Sequence, residues 1–455
     1  MTKYNIQNTL SSSRAIALIA GFILSFMFIL NVALGNAIMN FISFGVPLNE
    51  LLIGLLLVIL ASFGLLKIPT GNGAVFLYIW LSFGLAFWLP IGFFNHGIVA
   101  GRDATQLLDA TVLFATFSIL TRLTSISILK ACKSILLLGL TLEFLDRVVL
   151  FQLTDITVSS FQEVPLFGGT VGSSVIVTSS FWFGIVMRDH ISQASSRYLI
   201  FISFVLVLLL QNRFLYVSMI TTSIMYLYIT KTAFLNKKVL KKISIFFVLL
   251  VFFELFIGSL VEGLLGLLPG SEYIESRRLF KYGIETLSLS GIIDHLGTGF
   301  GIENELYSGA AGGVFQRLGW WYTIFDTMFS DWSTLFLGMG YGIPLTDFHG
   351  ISVIREPHNS FVSVFARNGL VLFFMWFIFH ASIVFISINS LKKVFEERYE
   401  YKLLLVSLLS IISTHVCALV EPAFENPPIA ISTYMFIALS LVMLARLKKL
   451  KRLHK

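Results

Sequence analysis

His358, in the run REPHNSFVSVF, directly follows a proline that fits the first turn of a helix, where its missing N–H costs nothing. The spacing therefore predicts a helix beginning at about Glu356 to Asn359, with His358 at its amino terminus. There the helix dipole disfavours an imidazolium, and free N–H groups favour an anion. A neutral imidazole in that position either accepts a proton from a hydroxyl or only caps the helix at an interface. Arg317, four residues before Trp321, either clamps a phosphate with its planar fork or stacks on Trp320 or Trp321. Arg213, in LLLQNRFLYVS, has apolar runs on both sides; it is either a functional cation at the bilayer or a side chain that snorkels to the outer interface. Arg355 and the pair Arg277 and Arg278 are weaker anion contacts of the same kind, more often solvated than functional, and Arg102, in the external loop after span three, is another candidate anion contact.

Two glycine-rich elements, LGTGFG (Gly297, Gly299, Gly301) and LGMGYG (Gly338, Gly340, Gly342), look like fragments of nucleotide-binding loops. Neither follows a strand or opens a βαβ unit, so close backbone approach or a tight bend is the better reading. The spacing of His295, Asp347, His349 and Glu356 matches no metal-ligand pattern, and no metal or other cofactor is expected. Cys132 and Cys417 fall within apolar runs, where a small buried thiol is ordinary and no disulfide is expected.

These residues must be positioned by a membrane. The 455 residues are 56% hydrophobic and 13% charged, and the mean hydropathy of +0.86 excludes an ordinary water-soluble globule. Apolar runs long enough to cross a hydrocarbon core of about 30 Å begin near Ala15, Leu51, Ala74, Ala104, Ile128, Val171, Tyr198, Phe214, Ile243, Phe361, Leu403 and Ile429, giving an all-α, polytopic protein of twelve spans. The first is read as a retained span rather than a cleaved signal. Spans seven and eight share Arg213 at their junction and could form one broken hairpin. With the amino terminus in the cytoplasm, 23 of the 32 Lys and Arg residues fall inside, as expected for basic residues in a membrane protein, and both termini are cytoplasmic. The excess of positive charge therefore reflects topology and points to no nucleic acid.

The chain divides into a bundle of nine spans (1–261), a long external loop (262–358), and three spans with a basic tail (359–455). The loop carries 11 acidic against 5 basic residues, a net of −6. It is too rich in Leu, Phe and Trp to be disordered. RRLFKYGIETLSLSGIIDHL and RLGWWYTIFDTMF have helical spacing and should lie on the membrane surface or dock against the bundle.

Taken in order, Arg317 with Trp321, the Leu337 to Gly342 element, His358 with Asn359 opening a helix, and Asn368-Gly369-Leu370 about ten residues on resemble the O-antigen ligase and polymerase superfamily. The long external loop before span ten and an arginine at the outer end of an earlier span, Arg213, also fit. The resemblance implies a fold like that of the membrane glycosyltransferases of type C and a donor glycan on an undecaprenyl pyrophosphate. It implies that Arg213 and Arg317 hold the pyrophosphate while His358 sits beside the acceptor hydroxyl, without a metal. Asn359, Trp321, Arg355, Arg102, Arg277 and Arg278 are then the substrate-binding candidates. Membrane lipid and a polysaccharide chain-length regulator are the further expected partners. One departure is that Arg213 follows Gln211 and Asn212 rather than the Ser that ligases often carry there.

Within that superfamily, a ligase delivers polysaccharide to a phosphate-rich lipid A core, and a polymerase adds it to another lipid-linked repeat. A loop at net −6 is a poor surface for phosphates, which favours the polymerase at the external face of the inner membrane. A lipid-oligosaccharide flippase is the alternative of another class. The sequence shows no repeat relating its two halves, which weighs against a carrier.

Overall fold

The computed structural model describes residues 21, 25, 42–43, 46–71, 73–145, 157–159, 162–165, 172–210, 213–230, 310–346, 357–392, 398–419, 421 and 423–453. Over these residues the protein is helical, with two small antiparallel ribbons: β1 (Ile42–Ser43) with β2 (Val46–Pro47), and β3 (Thr157–Ser159) with β4 (Gln162–Pro165). Among the described residues, five helices are long and apolar enough to cross a membrane: Ala74–His96, Ser125–Phe144, Ser360–Leu391, Tyr399–Ala418 and Ile429–Arg452. They coincide with the expected spans at Ala74, Ile128, Phe361, Leu403 and Ile429. Shorter apolar helices stand at five more expected positions: Glu50–Ser62, Thr105–Leu120, Val175–Val186, Gln193–Val207 and Leu215–Thr230. The spans expected at Ala15 and Ile243 lie outside the described residues, as do RRLFKYGIETLSLSGIIDHL and LGTGFG.

We number the helices α1 (Leu48–Ser62), α2 (Ala74–His96), α3 (Val99–Asp103), α4 (Thr105–Leu120), α5 (Ser125–Phe144), α6 (Gly172–Val186), α7 (Gln193–Leu210), α8 (Arg213–Thr230), α9 (Ala310–Ser330), α10 (Trp332–Leu337), α11 (Ser360–Leu391), α12 (Tyr399–Ala418) and α13 (Pro427–Leu453). The centre is α12 against α13: 83% and 72% of their most apolar windows are buried, against 28% for α2 and α5. Small hydroxyl residues let these helices approach closely and join them across the core. Ser407 bonds Ser440 at 2.8 Å, Thr433 Oγ1 donates to Thr414 Oγ1 at 2.9 Å, and Ser218 of α8 bonds Ser413. The helices α4, α6, α8 and α11 pack around this pair.

Two of the long helices depart from regular geometry, each for an identifiable reason. In α2, Pro90 offers no N–H and its ring would strike the carbonyl of Ala86; a π-turn over Gly84–Trp88 carries the chain past it. In α11, Gly369 has φ 69° and ψ 177°, a conformation only glycine adopts readily, and the helix breaks there. In an unbroken helix the carbonyls of Ala366 and Arg367 would accept from residues 370 and 371. Here they accept from the LGMGYG segment instead: Met339 N donates to Ala366 O at 2.7 Å, and Gly340 N to Arg367 O at 3.0 Å. Gly338, at φ 85°, lies so close that a Cβ on it would stand 2.4 Å from Gly369 N. The glycines thus serve close backbone approach, as their sequence context suggests.

Gly369→Ala is expected to lower the heat stability of the detergent-solubilised protein by about 3 kcal/mol, since both backbone strain and the clash oppose it. Gly54→Ala, on α1 with no atom within 4 Å of the added methyl, should leave stability unchanged or raise it by up to about 1 kcal/mol. Equal melting temperatures for the two variants would refute the docking argument.

Candidate active site

On α9, Arg317, Trp321, Ile324 and Met328 follow each other at spacings of four, three and four, so they share one helix face. Ile324 and Met328 are fully buried against Val362, Phe365 and Ala366 of α11, with Leu335 and Leu345. The opposite face is exposed, with Tyr322 and Phe329 each at 67%. Packing this stripe on the first turns of α11 carries Trp321 and Arg317 to the start of that helix, where His358 is.

That start is tightly built. Asn359 is the N-cap of α11, its Oδ1 accepting from Val362 N at 3.1 Å, while its Nδ2 donates to Leu419 O at 2.8 Å beyond the end of α12. Trp321 Nε1 donates to Pro357 O at 2.8 Å. Ser360 Oγ donates to Glu425 Oε2 at 2.5 Å and accepts from Phe424 N at 3.0 Å. Between these ties, His358 has φ 49°; among the described residues it alone takes positive φ without being glycine. Such strain persists where the surroundings over-determine it, and it clusters at functional sites.

His358 and Arg317 meet at one carboxylate. Glu421, in the turn between α12 and α13, lies 3.2 Å from His358 Nδ1 through Oε2 and 3.5 Å from Arg317 NH2 through Oε1. The side chains of Arg317 and His358 are 26% and 28% exposed and that of Glu421 12%, so the group is sheltered yet reachable. A carboxylate oxygen only accepts, which puts the imidazole proton on Nδ1 and leaves Nε2 able to receive one. The ring of Trp320 lies nearly parallel to His358, centroids 5.9 Å apart.

A second arginine beside the site plays a different part. Arg367, fully buried in α11, pairs with Asp103 Oδ2 of α3 at 3.2 Å and donates to the carbonyls of Gly340 and Ile343. The same Asp103 oxygen accepts from Gly342 N at 3.0 Å, and Tyr341 donates to Asn368 Oδ1 at 3.0 Å. Asp103, Arg367 and Asn368 thereby fix the glycine segment between α3 and α11. On α10, Asp331 caps the helix. Hydrogen bonds from the Ser333 hydroxyl and from the N–H and hydroxyl of Thr334 hold its carboxyl below the ordinary value. That stabilisation is present above the ordinary carboxylate pKa and is lost as pH falls through the lowered one.

Of the residues singled out in the sequence, the structure brings together Arg317, Trp321, His358 and Asn359. Trp321 and Asn359 hold the backbone on either side of His358. Arg102 is exposed on α3, and its neighbour Asp103 is the one that turns inward. Arg213 opens α8, but its side chain lies outside the described residues, as do Arg277, Arg278 and Arg355. Sequence reasoning missed Glu421, Glu425, Asp103 and Arg367. The available signal was an ionisable residue inside or between strongly apolar runs, as in VFARNGLV and CALVEPAFENPP. Comparison with models of protein families and with curated proteins finds no match.

Replacing Arg367 by Met should cost about 3–5 kcal/mol of heat stability, because Asp103 is left buried without its cation, and Asp103→Leu added to it should restore only part of the loss, since the Gly342 N–H then loses its acceptor. A single variant as stable as the unchanged chain would show the pair to be dispensable. Asn359→Ala, which removes the cap and the tie to Leu419, is expected to cost about 1–2 kcal/mol in the same melting experiment.

Proposed function

We propose that the protein is a membrane glycosyltransferase of the O-antigen polymerase type, joining undecaprenyl-pyrophosphate-linked glycan units at the external face of the inner membrane. The observation that carries the reading is the meeting of Arg317 and His358 at Glu421, on the face of α9 that packs against α11. This proposal includes the twelve-span, type C-like architecture with both ends cytoplasmic, towards which the ten apolar helices at expected positions count.

In this reaction the bond between the donor sugar's anomeric carbon and the pyrophosphate oxygen breaks, and a bond from the acceptor hydroxyl oxygen to that carbon forms. The acceptor proton passes to His358 Nε2, whose tautomer Glu421 sets. The bond electrons leave with the diphosphate, whose charge Arg317 meets with a planar fork suited to two oxygens. Arg213 is the second proposed diphosphate contact. Trp320, stacked on His358, offers a flat apolar surface beside the acceptor. The acidic balance of the 262–358 loop favours a lipid-linked repeat over lipid A core as acceptor, so ligase activity is the second reading.

Purified protein mixed with lipid-linked repeat units should produce a ladder of longer glycans. His358→Ala and Arg317→Ala should each slow it by at least about 100-fold while the protein remains folded in the membrane. Full activity in His358→Ala would remove the proposed base. Transfer onto lipid A core with no ladder would establish the ligase, and lipid-linked glycan crossing the membrane with no new glycosidic bond would establish a flippase.

A further inference from the structure

Between α1 and α4 lie two carboxyl groups that the proposed reaction does not use. Asp109 of α4 is fully buried, and Glu50, in the first turn of α1, is 7% exposed. The two helices pack together, and the carboxyl groups stand close enough for their charges to interact. All of their oxygens lack a hydrogen-bond partner among the described residues, and so does Oε1 of the buried Gln106. Carboxylates away from water are strongly unfavourable without a counter-charge, and a neighbouring carboxylate makes them more so.

The direction of the Gln106 amide follows from its partners. The Val364 carbonyl only accepts, so Asn368 turns Nδ2 to it at 3.1 Å and offers Oδ1 to the Tyr341 hydroxyl at 3.0 Å. With its proton used there, the Tyr341 oxygen accepts from Gln106 Nε2 at 3.4 Å. Gln106 Oε1 therefore faces away from Tyr341. Gln106 and Asp109, three residues apart, are neighbours on one face of α4. Tyr434 of α13 is within electrostatic reach of both Asp109 and Tyr341, which puts the amide and the carboxyl in one nest. Five acceptor oxygens of Glu50, Asp109 and Gln106 thus gather there without a donor. The buried guanidinium beside Asn368, that of Arg367, is already engaged by Asp103 and by the carbonyls of Gly340 and Ile343.

A proton shared between the carboxyl groups needs them in hydrogen-bond contact, which is not present, and it leaves Gln106 Oε1 unmet. A metal ion draws on several oxygens at once. Two carboxylates are neutralised by a divalent ion, whereas a monovalent one leaves a net charge that low dielectric makes costly. The donors are all oxygen, with no thiol or imidazole among them, which selects a hard ion. Mg²⁺ demands octahedral geometry and keeps its waters; Ca²⁺ accepts irregular oxygen sets and bidentate carboxylates. We infer that Glu50, Asp109 and Gln106 hold one Ca²⁺ between α1 and α4. The ion ties these helices together and takes no part in the chemistry at His358, so the inference does not depend on the glycosyltransferase reading.

The test is equilibrium dialysis of the full-length protein in detergent, stripped with a chelator, against radiolabelled Ca²⁺ in excess Na⁺. One Ca²⁺ per chain should bind, and the melting temperature should rise as it does. Removing even an outer partner of a metal ligand costs about 10–100-fold in affinity. Asp109→Asn should therefore weaken binding by at least about 100-fold, and Gln106→Met by about tenfold. Should Asp109→Asn not fold, Gln106→Met decides, since it keeps both charges and nearly the same side-chain volume. The inference is overturned by the absence of bound Ca²⁺, which would assign a proton to each carboxyl group, or by displacement with Na⁺. Unchanged binding in either folded variant also overturns it, because the ion would then lie elsewhere on the acidic surface.

Discussion

A broken helix inside an apolar bundle strands backbone carbonyls where water cannot reach them, and much of the site's architecture follows from how α11 meets that demand at Gly369. In low dielectric each unmet acceptor costs about 1–3 kcal/mol, so a second piece of backbone has to enter. The glycine segment does so because Gly338 and Gly369 lack side chains where the two strands of backbone cross. Arg367, two residues before the break, is itself fully buried. A buried guanidinium is tolerated only with a counter-charge and with carbonyls for its remaining donors. Asp103 supplies the counter-charge, and the carbonyls of Gly340 and Ile343 both accept from NH1.

The same packing sets the amino-terminal end of α11. Since Val362, Phe365 and Ala366 must be covered, α9 lies across them with Ile324 and Met328, and its helical period then fixes where Arg317 and Trp321 fall. His358 is held from two sides, through Trp321 on Pro357 and through Asn359 on Leu419. Its left-handed backbone is therefore a consequence of ties on neighbouring residues. The side chain is left to meet Glu421.

Local features of this arrangement were legible in the sequence. A proline before His358 marked the start of α11 to within a few residues, and the period of RLGWWYTIFDTMF marked α9. The glycine spacing indicated close approach because that property belongs to the backbone. Glu421 was not legible as a partner of His358: 63 residues separate them, and only the packing of α11 on α12 closes the distance. Arg367 was hidden for the opposite reason, since it sits within an apolar run that reads as continuous span. Hydropathy also cannot see where an apolar run stops being one helix, as at Pro90 in α2, at Thr111 in α4 and at Gly369 in α11.

The contrast between the two arginine–carboxylate pairs separates support from chemistry. Arg367 and Asp103 are 0% and 2% exposed at 3.2 Å, and the aspartate oxygen is shared with a backbone N–H. Opening that pair would leave two charges in a medium that cannot solvate them, so no substrate can compete for it. Arg317 and Glu421 are 26% and 12% exposed, and their contact is long at 3.5 Å. Pairs that water can reach are worth about 1 kcal/mol or less, well below the strength of charge-assisted bonds from a guanidinium to a diphosphate. An arriving anion can therefore draw Arg317 from Glu421 at little cost. In the proposed reaction Glu421 would keep its hold on His358 while the arginine turned to the diphosphate.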